Sequence, residues 1–207
     1  MIYCFDIDNT LYNPNHGIMN IINNRIIDYM NKKCLINKND INFYRKRYSE
    51  KYGSTLKGLI IEKKIDAIEY LEYIHEIDSK YFPKEDKNLR SLLKKIDEPK
   101  IIITNSYKKY ALQILESLNI IDIFDEIFDV IDMKLLYKNS AMSYKIVLKS
   151  MKLKAEDTVM IDDVRDFLIC AKNVGMKTIL VNKNIKSFDL DYSIENIYDL
   201  EKIFKKI

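Results

Sequence analysis

The chain opens on an apolar run, residues 1–5, that passes straight into Asp6, Ile7 and Asp8. Such a run reads as a buried strand over 1–7 with carboxylates at its end. From about Gly17 to Phe82 the apolar period changes. Ile18, Ile21, Ile22, Ile26 and Tyr29 recur at the spacing of one helix face, and further helices are predicted over 40–52, 55–64 and 66–77. Gly53, Ser54 and Thr55 form the clearest break, with Ser54 or Thr55 as a helix cap. Beyond Pro83 strands alternate with helices. The pattern predicts helix 85–96, strand 100–104, helix 107–118, strand 126–131, helix 140–151 and strand 157–161, the last running into Asp162 and Asp163. Helix 164–174 then stops at Gly175, and strand 177–181 and helix 196–206 close the chain. This alternation predicts an α/β fold, a parallel sheet covered by helices on both faces, with an all-helical insertion after the first strand.

Composition narrows the classes. The chain has 207 residues, and 34 Lys and Arg stand against 31 Asp and Glu. No block of like charge has the length of a nucleic-acid arm, so no nucleic-acid polymer is expected as a partner. The 47% apolar content excludes a disordered chain. The longest apolar runs fall far short of the ~20 residues that span a membrane. No charged-then-apolar stretch of signal length precedes the first strand, so no targeting peptide is expected. Cys4, Cys34 and Cys170 are odd in number and widely spaced, which fits a reducing compartment and a cytoplasmic location. With only 4 Gly and 3 Pro, each one retained is expected to hold a position that other residues fill badly.

In parallel sheets ligands bind at the carboxyl ends of the strands. There the sequence places Asp6 and Asp8, Thr104 and Asn105, the segment after Ile131, and Asp162 and Asp163. Asp6 and Asp8 share one side if the chain stays extended. Adjacent carboxylates repel, and a hard divalent cation such as Mg²⁺ relieves that repulsion. Taken alone, the pair reads equally as a solvated loop or a helix cap. A calcium loop starting at Asp6 fails, with Leu11 at its sixth place and Gly17 at its twelfth. Asp162 and Asp163 alone would suit a helix N-terminus, but two acidic clusters ending parallel strands can share one metal. Thr104 reads as a helix cap or, with the following amides, as a seat for a phosphate oxygen. Lys138, between strand and helix, supplies the further cation that carboxylates, metal and phosphate together call for.

Phe5 to Leu11 resembles the first motif of the haloacid dehalogenase-like hydrolases, and Thr104–Asn105, Lys138 and Asp162–Asp163 fall in the order and spacing of the second, third and fourth motifs. The stretch from Asp8 to Gly17, Tyr29–Met30, Tyr52 to Gly58, and Asp66 to Asp78 with His75 are similar to the pyrimidine 5′-nucleotidase-like branch. The resemblance implies a Rossmann-like core, residues 1–13 and 83–207, with residues 14–82 as a helical cap. It implies a Mg²⁺-dependent phosphatase of small phosphate monoesters, best pyrimidine nucleoside 5′-monophosphates. Asp6 would be the nucleophile and Asp8 the acid and base. Thr104 and Asn105 would hold the transferring phosphate, Lys138 would balance its charge, and His75 would face substrate from the cap. Metal ligands would be Asp6, the Asp8 carbonyl, Asp163 and Asp162. Asn139, Val164 and Phe167 depart from the branch, which has Pro, Ser, and Asn or Asp there, with Asp166 one place early. A sugar-phosphate or phosphoglycolate phosphatase, or a phosphomutase, is a second reading on the same core. A binding protein with little turnover is a third. Monomer and homodimer both stay open.

Overall fold

The structure is a computed structural model that describes residues 1–182 and 188–204. The apolar runs form strands β1 (Ile2–Phe5), β2 (Lys100–Ile103), β3 (Glu126–Phe128), β4 (Thr158–Asp162), β5 (Lys177–Val181) and β6 (Tyr192–Ile194). They form one sheet in the order β3-β2-β1-β4-β5-β6, every pair parallel. Side chains alternate between the faces. Tyr3 and Phe5 of β1 face one core with Ile102, Val159 and Ile179. Cys4 faces the other with Ile101, Ile103, Met160 and Leu180. Burial on both faces is why these strands read as unbroken apolar runs rather than alternating ones.

Among the described residues eight α-helices accompany the sheet. Helices α1 (Ile18–Lys32), α2 (Ile41–Tyr52), α3 (Thr55–Lys63) and α4 (Ala67–His75) fill the insertion between β1 and β2, and α5 (Lys87–Lys94) leads into β2. Helices α6 (Lys108–Ser117), α7 (Ala141–Ser150) and α8 (Arg165–Lys172) follow β2, β3 and β4. Residues 14–82 contain no strand. Buried side chains of α7 and α8, such as Tyr144, Val147 and Leu168, join the Cys4 core, while those of α1 to α6 join the Tyr3 core. No helix among the described residues is long and apolar enough to cross a membrane.

The structure departs from the sequence pattern at three places. The strand predicted over 126–131 ends at Phe128, because the buried Asp129 carboxylate accepts the amides of Lys108, Ile131 and Asp132 and turns the chain. Strand β6 escapes the pattern because it has three residues at the sheet edge, with one polar residue at its centre. The helix predicted over 196–206 is a 3₁₀ turn, Ile197–Lys202, and its last two residues lie outside those described.

The scarce glycines sort by geometry. Gly53 ends α2 at φ 87°, a left-handed conformation that other side chains resist. Gly58 has ordinary backbone angles, but a Cβ there would lie 2.2 Å from Tyr48 Cγ. It sets the approach of α3 to α2, and Tyr48 itself is fully buried. Gly58→Ala gains about 1 kcal/mol of helix propensity, but overlap with a ring root costs roughly 1–3 kcal/mol or more. The expected result is a lower urea midpoint with an unchanged m value. A raised midpoint would show that α2 swings aside freely.

Candidate active site

The strand order reverses between β1 and β4, since the chain runs outward through β2 and β3 on one side and through β5 and β6 on the other. In such sheets the crevice beyond this switch point is where ligands sit. Here it opens into a cavity of about 430 Å³, lined by Asp6, Asp8, Thr104, Asn105, Lys138 and Asp163 from below and by α1, α2 and α4 from above. That size is ordinary for a small-molecule site.

Lys138 is the centre of the floor. Its ammonium donates to Asp6 Oδ1 and, at 2.7 Å, to Asp162 Oδ2. Side-chain exposure is 1% for Lys138, 8% for Asp6 and 0% for Asp162. Burial works against the lysine charge, but Asp162 and Asp6 outweigh it and hold the ammonium above its ordinary range. The Lys138 amide donates to Asn105 Oδ1 at 2.9 Å, which ties the loop before α7 to the end of β2. The Phe167 ring lies 5.5 Å from Lys138 Nζ. The departure at Phe167 therefore supplies an apolar, cation-facing wall. The departure at Val164 matters less, because its backbone amide still bonds Asp162 Oδ1 at 2.8 Å. Asn139, in place of Pro, donates its side-chain amide to the Gly53 carbonyl at 2.9 Å and so links the loop to the helical insertion.

Asp6, Asp162 and Asp163 present carboxylate oxygens that all lie within 4.8 Å of one another. Burial raises all three. Asp6 rises despite the pull of Lys138. Asp162 is pushed up to about 6, again against Lys138. Asp163 is pushed up to about 7 by burial and then by Asp6 and Asp162. Three carboxylates beside one lysine leave about two negative charges once ionised, in a set of hard oxygen donors. That set fits a divalent cation such as Mg²⁺.

The Asp8 carboxylate is not in this cluster. The chain turns after Ile7, whose carbonyl accepts the amides of Thr10 and Leu11, so Asp6 and Asp8 do not form the shared pair that an extended chain would give. Asp8 Oδ1 accepts the hydroxyls of Tyr12 at 2.5 Å and Tyr110 at 2.9 Å, and Oδ2 accepts Ser106 at 2.7 Å. Burial, then Asp8 itself, pushes both tyrosines far up, so they stay donors. Thr10 donates to Asp6 Oδ2 at 3.1 Å. Thr10 and Tyr12 each lie four residues beyond the carboxylate they hold, a spacing visible in the sequence. Tyr110, 102 positions from Asp8, carries no such signal. Thr104 Oγ1 accepts the Ser106 amide at 3.0 Å, so the helix-entry role is realised while its hydroxyl proton stays available to the cavity.

His75 sits in the cavity wall at the end of α4, where its Nδ1 and the Leu71 carbonyl are 2.8 Å apart. A carbonyl only accepts, so Nδ1 carries the proton and Nε2 is the bare nitrogen. Its ring stacks on Tyr110 at 4.8 Å. A second cleft of about 530 Å³ is lined by both of these rings and by none of the clustered carboxylates. Burial lowers His75 to about 4, below the ~6.5 of a free side chain. The folded chain therefore binds this proton later than the unfolded chain. His75 should cost nothing above pH ~6.5, destabilise progressively down to about 4, and saturate near roughly 3 kcal/mol. Urea midpoints of His75→Gln should gain on the wild type across that window. Parallel curves would mean that the imidazole charges freely in the fold.

A family model described as haloacid dehalogenase-like hydrolase matches residues 3–181. Phosphate metabolism protein 8 of Saccharomyces cerevisiae is 30% identical over 137 residues, covering 61% of this chain. The chain spans 42% of that relative's length. Among solved structures, a HAD phosphatase from Thermococcus onnurineus superposes with a TM-score of 0.65 at 20% identity, covering 98% of this chain and 96% of that one. A 2-haloacid dehalogenase from Pseudomonas syringae pv. Tomato gives 0.62 at 17%, with 99% and 98% covered. At these identities the two structures speak for the fold alone.

Proposed function

Since the chain belongs to the haloacid dehalogenase-like hydrolases, we propose that it is a Mg²⁺-dependent phosphatase of small phosphate monoesters. The observation that carries this reading is the Lys138 ammonium held between Asp6 and Asp162 beside Asp163, at the floor of one cavity. A buried cation among three carboxylates suits a dianionic phosphoryl group entering with a metal. Asp8 separates phosphate-ester chemistry from carbon–halogen cleavage, which needs no acid two residues after the nucleophile.

An Asp6 carboxylate oxygen would attack phosphorus, so that a P–O bond to Asp6 forms as the P–O bond to the leaving alcohol breaks. Asp8, aimed by Tyr12, Tyr110 and Ser106, would give its proton to the leaving oxygen. It would then take one from the water that opens the aspartyl-phosphate. The Thr104 hydroxyl and the amides after it would hold the transferring oxygens, and Lys138 would offset their charge. Mg²⁺, held by Asp6, Asp163, Asp162 and the Asp8 carbonyl, would supply charge neutralisation across phosphate and carboxylates. Residues 14–82 would act as a cap on a core of 1–13 and 83–207, excluding water and setting substrate choice. The likeness of that insertion to the pyrimidine 5′-nucleotidase-like branch favours nucleoside 5′-monophosphates.

Hydrolysis of p-nitrophenyl phosphate with Mg²⁺ and with EDTA tests the reading. Turnover should vanish on chelation and return with added Mg²⁺. Full turnover in EDTA would remove the metal from the proposal. No turnover in folded, Mg²⁺-supplied protein would leave a binding protein.

A further inference from the structure

Three hydroxyls converge on Asp8. Tyr12 and Tyr110 donate to Oδ1 at 2.5 and 2.9 Å, and Ser106 donates to Oδ2 at 2.7 Å. Two donors fill both lone-pair sites of Oδ1, so a proton carried by Asp8 belongs on Oδ2, where the Ser106 hydroxyl can turn from donor to acceptor. Tyr110 takes part from outside the site. Asp8, Ser106 and His75 line the cavity, whereas Tyr110 lines the second cleft. Tyr110 is only 1% exposed, and its ring is held on two sides. His75 stacks on it with 4.8 Å between centroids and 30° between planes. Phe82 meets it edge-on at 6.3 Å. His75 ends α4 in the helical insertion, and Tyr110 lies on α6, which follows β2, so the stack crosses from the insertion to the sheet. Lys109 and Glu72 join the same two helices at 3.4 Å, but an ion pair between exposed side chains fixes little. The His75 ring is itself fixed, because its Nδ1 proton is committed to the Leu71 carbonyl one turn back.

We propose that His75 and Tyr110 are positioning residues for the proton transfer: the insertion, seated through the His75 ring, holds Tyr110 where its hydroxyl orients Asp8 toward the leaving oxygen. The assignment rests on the phosphatase reading, with Asp8 as the acid. The proton passes from Asp8 Oδ2 to the leaving oxygen as the P–O bond breaks, and the attacking water later returns one to Asp8. His75 does its part without touching the substrate. Its bare Nε2 can only accept, and so can the oxygens of a phosphate dianion, so the two have no hydrogen bond to make. The acid is thus in place only while α4 is seated on α6, which ties bond cleavage to the closed position of the insertion.

The test measures kcat/KM for p-nitrophenyl, phenyl and benzyl phosphate with Mg²⁺. The three share one ring, while their leaving alcohols rise in basicity and so in their need for the acid. The ratio kcat/KM reports the step in which the bond to the leaving alcohol breaks. Tyr110→Phe keeps the ring and its stack, and Tyr12 still bonds Asp8 Oδ1. It should lose about 10–100-fold on benzyl phosphate, the scale of a misplaced acid, and less than about threefold on p-nitrophenyl phosphate, with phenyl phosphate between them. His75→Ala should lose in the same order across the substrates. His75→Phe, a ring without nitrogen, should recover most of that loss. Equal losses on all three substrates would mark general damage and overturn the proposal. So would His75→Phe as impaired as His75→Ala, which would make Nε2 a substrate contact. A wild type that cleaves only p-nitrophenyl phosphate has no working acid to position, and would overturn it too. These three results leave the phosphatase reading standing, because the wild type still turns over. A wild type that hydrolyses none of the esters would end that reading and this assignment with it.

Discussion

Asp6→Asn should lose turnover of every phosphate ester by roughly 10⁴–10⁶-fold, the scale of removing a nucleophile. The substitution preserves shape, and an amide oxygen can still accept the Thr10 hydroxyl that holds Asp6 Oδ2. It removes one buried carboxylate from a set of three, leaving Lys138 paired with Asp162 alone. Stability should therefore change little, because the lost attraction to Lys138 is offset by relief of the desolvation that burial imposes on the Asp6 charge and of its repulsion from Asp8. A normal urea midpoint with no turnover would locate the defect in chemistry rather than folding. Metal affinity should weaken too, so turnover is measured at Mg²⁺ concentrations raised until the signal is flat. Rapid quench of the wild type should trap phosphate on protein, and the variant should trap none. Turnover within tenfold of the wild type would assign the attack to another group, with Asp163 the first to be examined.

The parts of this site that were legible in the sequence share one property: each sits within a few residues of an apolar strand. Asp6, Thr104, Asn105 and Asp163 follow β1, β2 and β4 directly and Asp162 ends β4, so finding the strands finds them. Lys138 lies farther from β3, and its case in the sequence rests on its place between strand and helix together with what a phosphate site needs. The structure then makes it the least exposed charged group of the floor apart from Asp162. What the strands did not reveal are groups brought in by helix packing. Tyr110 reaches Asp8 from α6 across 102 positions, and Arg45 and Tyr70 reach the cavity from α2 and α4. Among 15 tyrosines periodicity marks these residues as helix faces and does not say which hydroxyl meets a carboxylate. The same limit explains the ends of the fold. β6 pairs with β5 along the sheet edge through three residues, too few for a period to show, and Asp129 ends β3 by a local turn onto the Ile131 and Asp132 amides joined by a tertiary contact from the Lys108 amide.

Lys138→Met should be the most damaging single change to stability. The wild-type ammonium stands between two carboxylates that are almost wholly enclosed, at 8% and 0% side-chain exposure. Deleting one member of such a buried group costs about 3–5 kcal/mol, because the remaining charges stay buried without compensation. Methionine keeps similar length and bulk beside the Phe167 ring, so the loss would report charge rather than a cavity. Two dependences separate this from ordinary core damage. Asp6 and Asp162 would then repel each other unrelieved, and a proton bound by one of them would remove the repulsion. Their folded pKa values, already raised, would rise further above the unfolded ones. The folded variant would bind protons that its unfolded form releases, so its deficit against the wild type should shrink as pH falls from 8 toward 5. A cation at the three carboxylates would do the same, so Mg²⁺ should raise the variant's urea midpoint more than the wild type's, by up to about 2.7 kcal/mol at a hundred times its dissociation constant. Turnover should not return with stability, since the phosphoryl group would still lack the lysine charge. A variant as stable as the wild type in EDTA at pH 8, with its activity intact, would make Lys138 a bystander and remove the observation on which the phosphatase reading stands.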